Sequence, residues 1–153
     1  MTNAIETRLS ELGVTLPEAA APAANYVPYV VTGNTIYVSG QISMIDGEFI
    51  TGRLGDTMDV EQGAAAAKVC AINLLAQVRA ALDGDLTRLK RVLKLTAFVN
   101  CTQEFGHQPQ VVNGASDFFV EALGDAGRHA RSAVGAILPF GVAVEIEGIF
   151  EFE

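Results

Sequence analysis

RSAVGAILPFGVAVEIEGIFEFE (residues 131–153) holds two strand-like runs joined by Leu138-Pro139-Phe140-Gly141. In the second run Val142, Val144 and Ile146 fall on one face, and Ala143, Glu145 and Glu147 on the other. Gly148 breaks the apolar row, and Phe150 and Phe152 resume it. Glu151 and Glu153 continue the acidic side, with Ile149 its one exception. Alternation with period two marks a strand that is buried on one face and wet on the other. The short joint predicts that the two runs form a hairpin, opened by Arg131. An arginine entering one strand and carboxylates along its neighbour describe either a small polar site or a solvated sheet face. The remainder of the chain must decide between them.

Upstream, the pattern switches repeatedly between strand and helix periods. Residues 3–13 read as a short helix capped by Asn3, with Glu6 completing a capping box and Ile5, Leu9 and Leu12 on one face. A Pro- and Ala-rich connector follows, so that residues 1–23 form an accessory head on a single domain spanning 1–153. Residues 26–31 and 35–39 read as strands around Thr32-Gly33-Asn34, and Ile45-Asp46-Gly47-Glu48 as a tight turn. Asp59 and Gln62 predict a capping box for a long helix. Its stripe is Ala67, Ala71, Leu74, Leu75, Val78 and Leu82, and Gly84 stops it. Residues 92–101 read as a strand with Leu93, Leu95, Ala97 and Val99 on its inner side, after a connector at 86–91. A second helix starts near Pro109 and carries Val111, Val112, Ala115, Phe118, Phe119 and Ala122. Two helices with one-sided stripes and a mixed sheet make a two-layer α+β sandwich, whose second sheet face is left for other subunits to cover.

Composition narrows the function. Half of the 153 residues are hydrophobic and only 18% are charged, which suits one compact domain with surface buried between subunits. A net charge of −8 makes a poor generic binder of phosphate backbones, so no nucleic-acid partner is expected. The run Arg88, Lys90, Arg91, Lys94 reads as a solvated turn entering a strand. Cys70 and Cys101 have no motif spacing and only His107 and His129 for company, so no metal site is expected. The thiols read as buried, and the histidines as helix-end or surface residues. With no signal-like start and no uninterrupted apolar span, the expectation is a cytoplasmic protein without a membrane partner.

Seven short elements, taken in order, carry a resemblance. They are Tyr26-Val27, Thr32-Gly33-Asn34, Tyr37-Val38-Ser39-Gly40-Gln41-Ile42, Val112-Asn113, Ala130-Arg131-Ser132, Leu138-Pro139 and Val144-Glu145-Ile146-Glu147. Over roughly residues 24–153 the chain resembles the RidA family, also called YjgF or, by an older label, endoribonuclease L-PSP. The head resembles that of a longer subgroup. The resemblance implies a chorismate-mutase-like fold and a homotrimer with clefts between subunits. It also implies hydrolysis of reactive enamines and imines, such as 2-aminoacrylate and 2-iminopropanoate, to 2-keto acids and ammonia, with no cofactor. Carried over by residue, Arg131 grips the substrate carboxylate and Glu145 positions the attacking water. Tyr26 lines the cleft, with Tyr29 the competing choice, and Ser39, Gly40 and Asn113 lie against the ligand. Many members have cysteine where this chain has Ala133, which implies a different pocket wall. The stretch from Arg131 to Pro139 is also one residue shorter than usual. Those departures support an alternative reading, a small-carboxylate binder with little catalysis. The ribonuclease reading in the older label fits the acidic charge poorly.

Overall fold

The structure, a computed structural model, describes residues 3–153. Its first helix, α1, spans Ala4–Glu11. Asn3 caps it by accepting the Ile5 N–H at 2.9 Å. The capping box expected with Glu6 does not form, because the asparagine closes the tighter bond two residues on. At the other end Gly13 takes φ +71°; its N–H donates to Ser10 O and that of Val14 to Leu9 O, satisfying the last carbonyls. Leu9 is buried in the main core. The connector after α1 is tied along the next long helix: Gln77 Nε2 donates to Ala20 O at 2.7 Å and Arg79 Nη2 to Pro17 O at 2.9 Å.

Strands β1 (Tyr29–Thr32) and β2 (Thr35–Ile42) form a hairpin, and β3 (Met44–Ile45) with β4 (Glu48–Phe49) a second. Asp46 and Gly47 both have positive φ in that second turn, as a two-residue loop of matching twist requires. Helix α2 (Val60–Ala81) begins with the expected box: Asp59 accepts from the Gln62 N–H at 2.8 Å, and Gln62 from the Asp59 N–H at 2.9 Å. A single turn at Leu86–Arg88 leads into β5 (Leu89–Asn100). Then follow α3 (Gln108–Leu123), β6 (Ala130–Ala136) and β7 (Val144–Phe152). The five-stranded sheet runs β1-β2-β7-β5-β6. Both long helices pack on one face, and every apolar position read on their stripes is buried. By length and composition α2 alone would suffice to cross a membrane, yet half of that stretch is buried in this core.

Three expectations are corrected. The last two strands are not a hairpin: β5 lies between them, parallel to β6 and antiparallel to β7. The unit β5–α3–β6 is a parallel crossover, which brings β6 beside β5 and leaves β7 only the opposite side. Second, Val92 rather than Leu93 faces the helices, because a register shift between Val92 and Lys94 puts Val92 on the same side as Leu95. Third, strand bounds move: β1 begins at Tyr29, β2 runs on to Ile42, and β5 begins at Leu89.

The two helices meet where side chains are smallest. A Cβ added at Gly114 would overlap the Ala64 carbonyl oxygen of α2, and one at Gly63 would press on Val111 and Leu54. Backbone cannot yield there as a flexible side chain can. Gly114→Ala is therefore expected to lower the unfolding free energy by about 2 kcal/mol or more, read as a fall in the urea midpoint.

Candidate functional site

The sequence-derived residues separate into two groups at different places in the fold. The first surrounds a cavity of about 470 Å³ whose lining includes Tyr26, Gly40 and Glu145. Its other walls come from the connector at Ala20–Ala24, the aromatic pair Phe49 and Phe140, and Asn73 of α2. A register shift in β2 between Val38 and Gln41 leaves Ser39 and Gly40 without partners in β7. Gly40 is needed for close approach: a Cβ there would overlap Glu145 Oε1. Ser39 works beside the cavity instead of in it. Its hydroxyl donates to Val27 O at 2.7 Å and its N–H to Pro28 O at 2.9 Å, which holds the segment carrying Tyr26. Of the two tyrosines, Tyr26 borders the cavity, while Tyr29 packs against the core.

Glu145 stands on the open face of the sheet and is half-buried. Burial, and secondarily the charge of Glu147 two residues along the same face, push its carboxyl above the ordinary value of 4.5. Among the described residues it is the one charged side chain bordering this cavity. A second cavity of about 660 Å³ lies beyond Met44 and Asn73, between the connector and the β3–β4 turn, and touches none of the sequence-derived site residues.

The second group sits at the far edge of the sheet. Arg131 lies opposite Leu95 on β5 and so faces the helix layer. Its Nη1 donates to Ser116 Oγ at 2.9 Å and its Nη2 to Pro109 O at 3.3 Å. Pro109, Asn113 and Ser116 follow at helical spacing along one face of α3, so exposed Asn113 belongs beside the arginine. Ala133, opposite Ala97, lies on the same sheet face and is partly buried against the core.

The arginine is supported by two residues that sequence patterns did not flag. His129 Nδ1 lies 2.6 Å from Gly127 O, an obligate acceptor, and Nε2 lies 2.8 Å from Ser116 Oγ. Burial first, and the Arg131 charge further, push the imidazole below its ordinary 6.5, against the raising effect of the Gly127 bond. A neutral ring with its proton on Nδ1 leaves Nε2 to accept. Ser116 then donates to His129 and accepts from Arg131. No motif in sequence joins positions 116, 129 and 131; only the parallel β5–β6 pairing puts them in reach. Of the cysteines, Cys70 is buried, its thiol raised well above the usual range by desolvation; Cys101 is half-buried, and both are free. Among the described residues no group of His, Cys, Asp or Glu is arranged to hold a metal ion.

Arg131 and Glu145 do not meet within the chain. Pairing sets Arg131 against Leu95 and Glu145 against Phe98, on opposite sides of β5 and on opposite sheet faces. Three residues along and two strands across put the two Cα atoms roughly 14 Å apart.

Known proteins share this architecture. A family model described as "YjgF/chorismate mutase-like, putative endoribonuclease" matches residues 6–143. Protein TCP17 of Trypanosoma cruzi is 50% identical over 150 residues, covering 96% of this chain and 93% of its own. A 2-iminobutanoate/2-iminopropanoate deaminase of Dermatophagoides farinae is 29% identical over 143 residues, covering 92% and 95%. The crystal structure of Atu1372 from Agrobacterium tumefaciens, a protein of unknown function, superposes with a TM-score of 0.92 at 51% identity, covering 98% and 93%.

Two consequences follow for stability. Because the folded state raises the Glu145 pKa, wild type loses stability as pH rises through that value. Glu145→Gln should therefore raise Tm at neutral pH, with the gain vanishing below the ordinary 4.5. For His129 the folded pKa is depressed, so its contribution is intact above 6.5 and lost as pH falls towards the folded value. Unfolding free energy measured across that interval should fall more steeply in wild type than in His129→Gln.

Proposed function

The chain belongs to the YjgF/chorismate mutase-like family, and from that premise we propose that it hydrolyses reactive 2-imino acids and their enamine tautomers to 2-keto acids and ammonia. The observation that carries this reading is Glu145: a half-buried carboxylate of raised pKa, bordering a cavity with Tyr26 and Gly40. A general base works best with its pKa moved towards the working pH. The deaminase relative in Dermatophagoides farinae supports the same class of chemistry.

The overall change is R–C(=NH)–COO⁻ plus H₂O giving R–CO–COO⁻ plus NH₃. Glu145 takes a proton from the attacking water as its oxygen bonds to the imine carbon. The C=N π pair moves to nitrogen. Glu145 returns that proton to the nitrogen to give the carbinolamine, then carries the hydroxyl proton to the amine as the C=O bond forms and the C–N bond breaks, and ammonia leaves. Arg131 supplies a planar fork for the substrate carboxylate, aimed by Ser116 and Pro109 O.

One chain does not bring these two together. A six-heavy-atom imino acid reaches about 5 Å, against the roughly 14 Å between the Cα atoms of Arg131 and Glu145 on opposite sheet faces. The reading therefore places the site between copies, with the β6 edge of one presenting Arg131 to the Glu145 cavity of the next. A closed ring of three fits this heterologous contact. Support comes from the open sheet face, where Val30, Tyr37 and Val134 are all about half exposed and in need of cover.

Complementation tests the arrangement. Arg131→Ala and Glu145→Gln should each abolish keto-acid release from 2-aminoacrylate supplied by a PLP-dependent dehydratase. Co-assembled in equal amounts, they should recover roughly a quarter of the wild-type rate, the share of interfaces that random mixing makes whole. Single variants that are dead with no recovery on mixing place both groups in one chain and overturn the shared cleft. If wild type shows no turnover but keto acids raise its Tm, the binding-module reading replaces the deaminase.

A further inference from the structure

The Glu145 cavity is far larger than a three-carbon imino acid requires. 2-Iminopropanoate has six heavy atoms and fills about four water volumes, roughly 120 Å³, against about 470 Å³ in the single chain, part of which the Arg131 edge of the next copy takes up in the proposed assembly. The surplus has a definite chemical character. Phe49 and Phe140 stack with ring centroids 4.9 Å apart and planes within 14° of parallel. Both rings line the cavity and remain substantially exposed, at 43% and 60% for the two residues. Phe140 reaches this position through φ +59°, a left-handed conformation unfavourable for a bulky side chain. The ring is thus held at the cavity wall at a local backbone cost, where a turn alone would have been served by glycine.

The connector adds further apolar wall. Ala20–Ala24, with Pro22, runs past the cavity because Gln77 and Arg79 tie residues 17–20 to α2. Among the described residues Glu145 is the one charged group this chain places on the lining, and in the proposed assembly the Arg131 of the next copy is taken by the substrate carboxylate. An acidic substrate side chain would meet like charge there, and a basic one would neutralise the carboxylate that the water needs.

We infer that the substrate of this site is a 2-imino acid bearing a large uncharged side chain, best an aromatic one, seated against the Phe49–Phe140 pair. The inference rests on the deaminase reading and adds to it the substrate class. The apolar rings and the connector take the side chain, leaving the imine carbon beside Glu145 and the carboxylate at the mouth. Small imino acids leave most of the wall wet and forgo the aromatic contact.

An amino-acid oxidase generates the imines of phenylalanine and of alanine in situ, and added protein is scored by acceleration of keto-acid release. The phenylalanine-derived imine should give a kcat/KM at least about tenfold above the alanine-derived one, and Phe49→Ala should cut that ratio by about tenfold. Phe49 lies on an exposed two-residue strand, and the urea midpoint of the variant checks that the fold is kept. A preference for the alanine-derived imine, or a ratio unmoved by Phe49→Ala, overturns the side-chain assignment and leaves the deaminase reading standing. Acceleration of neither imine defeats the deaminase reading, and thermal shift then judges the cavity alone. Phenylpyruvate should raise Tm more than pyruvate at equal concentration in wild type and lose that advantage in Phe49→Ala; equal shifts in wild type overturn the assignment.

Discussion

The molecule depends on the double pairing of Leu89–Asn100, parallel to Ala130–Ala136 on one side and antiparallel to Val144–Phe152 on the other. A strand paired on both edges has nearly all its backbone donors and acceptors satisfied, so its inner side chains can be fully buried; Leu95, Ala97 and Val99 are. The same pairing separates the two polar groups of greatest chemical interest. It sends Arg131 to the helix side at one sheet edge and keeps Glu145 on the open face two strands away. Each then acquires its own support: Ser116, His129 and Pro109 O for the guanidinium, Gly40 and the Tyr26 segment for the carboxylate. A chain built this way holds its two polar groups apart.

Much of this fold is legible in the sequence because its helices obey local rules. Asp59 and Gln62 signal a box that forms; the stripes on α2 and α3 are buried position for position; Asp46-Gly47 turns where expected. Strand alternation identifies the strands but carries no information about which strand lies beside which. Residues 131–153 look like a hairpin because two runs are separated by few residues, yet the pairing is set by α3 returning β6 to β5. Bulges defeat the alternation too. One inserted residue near Val92 reverses which side faces the core, and nothing in VLK marks it.

The candidate site was legible to the extent that its chemistry lies in short elements. Tyr26, Gly40 and Glu145 border one cavity, and Arg131, Asn113 and Ala133 share the other edge. Ser39 stands one step removed, fixing the backbone that carries Tyr26. In sequence His129 reads as an ordinary helix-end or surface residue. Its link to Arg131 through Ser116 joins residues 13 and 15 positions apart, and only tertiary pairing closes it. Phe49 and Phe140 carry no joint signal in sequence for a related reason. Each is a lone aromatic in a turn-rich stretch, and the stack exists only after the Pro139-Phe140-Gly141 turn folds back over the β3–β4 hairpin.

The electrostatics of the open face set Glu145 apart from its neighbours. Glu145 and Glu147 stand two residues apart on one face, and desolvation adds to their repulsion. A surface under selection for stability alone would place a neutral or apolar residue at 145, as β7 does at Ile149 on the same face. The register shift at Ser39-Gly40 makes the arrangement more specific, since it sets beside the carboxylate a glycine whose missing Cβ leaves it room. Strand pairing, a glycine without alternative and an unfavourable charge thus converge on one side chain. A solvated sheet face needs neither the glycine nor the bulge, so the convergence singles out Glu145 as the carboxylate on which the proposed chemistry rests.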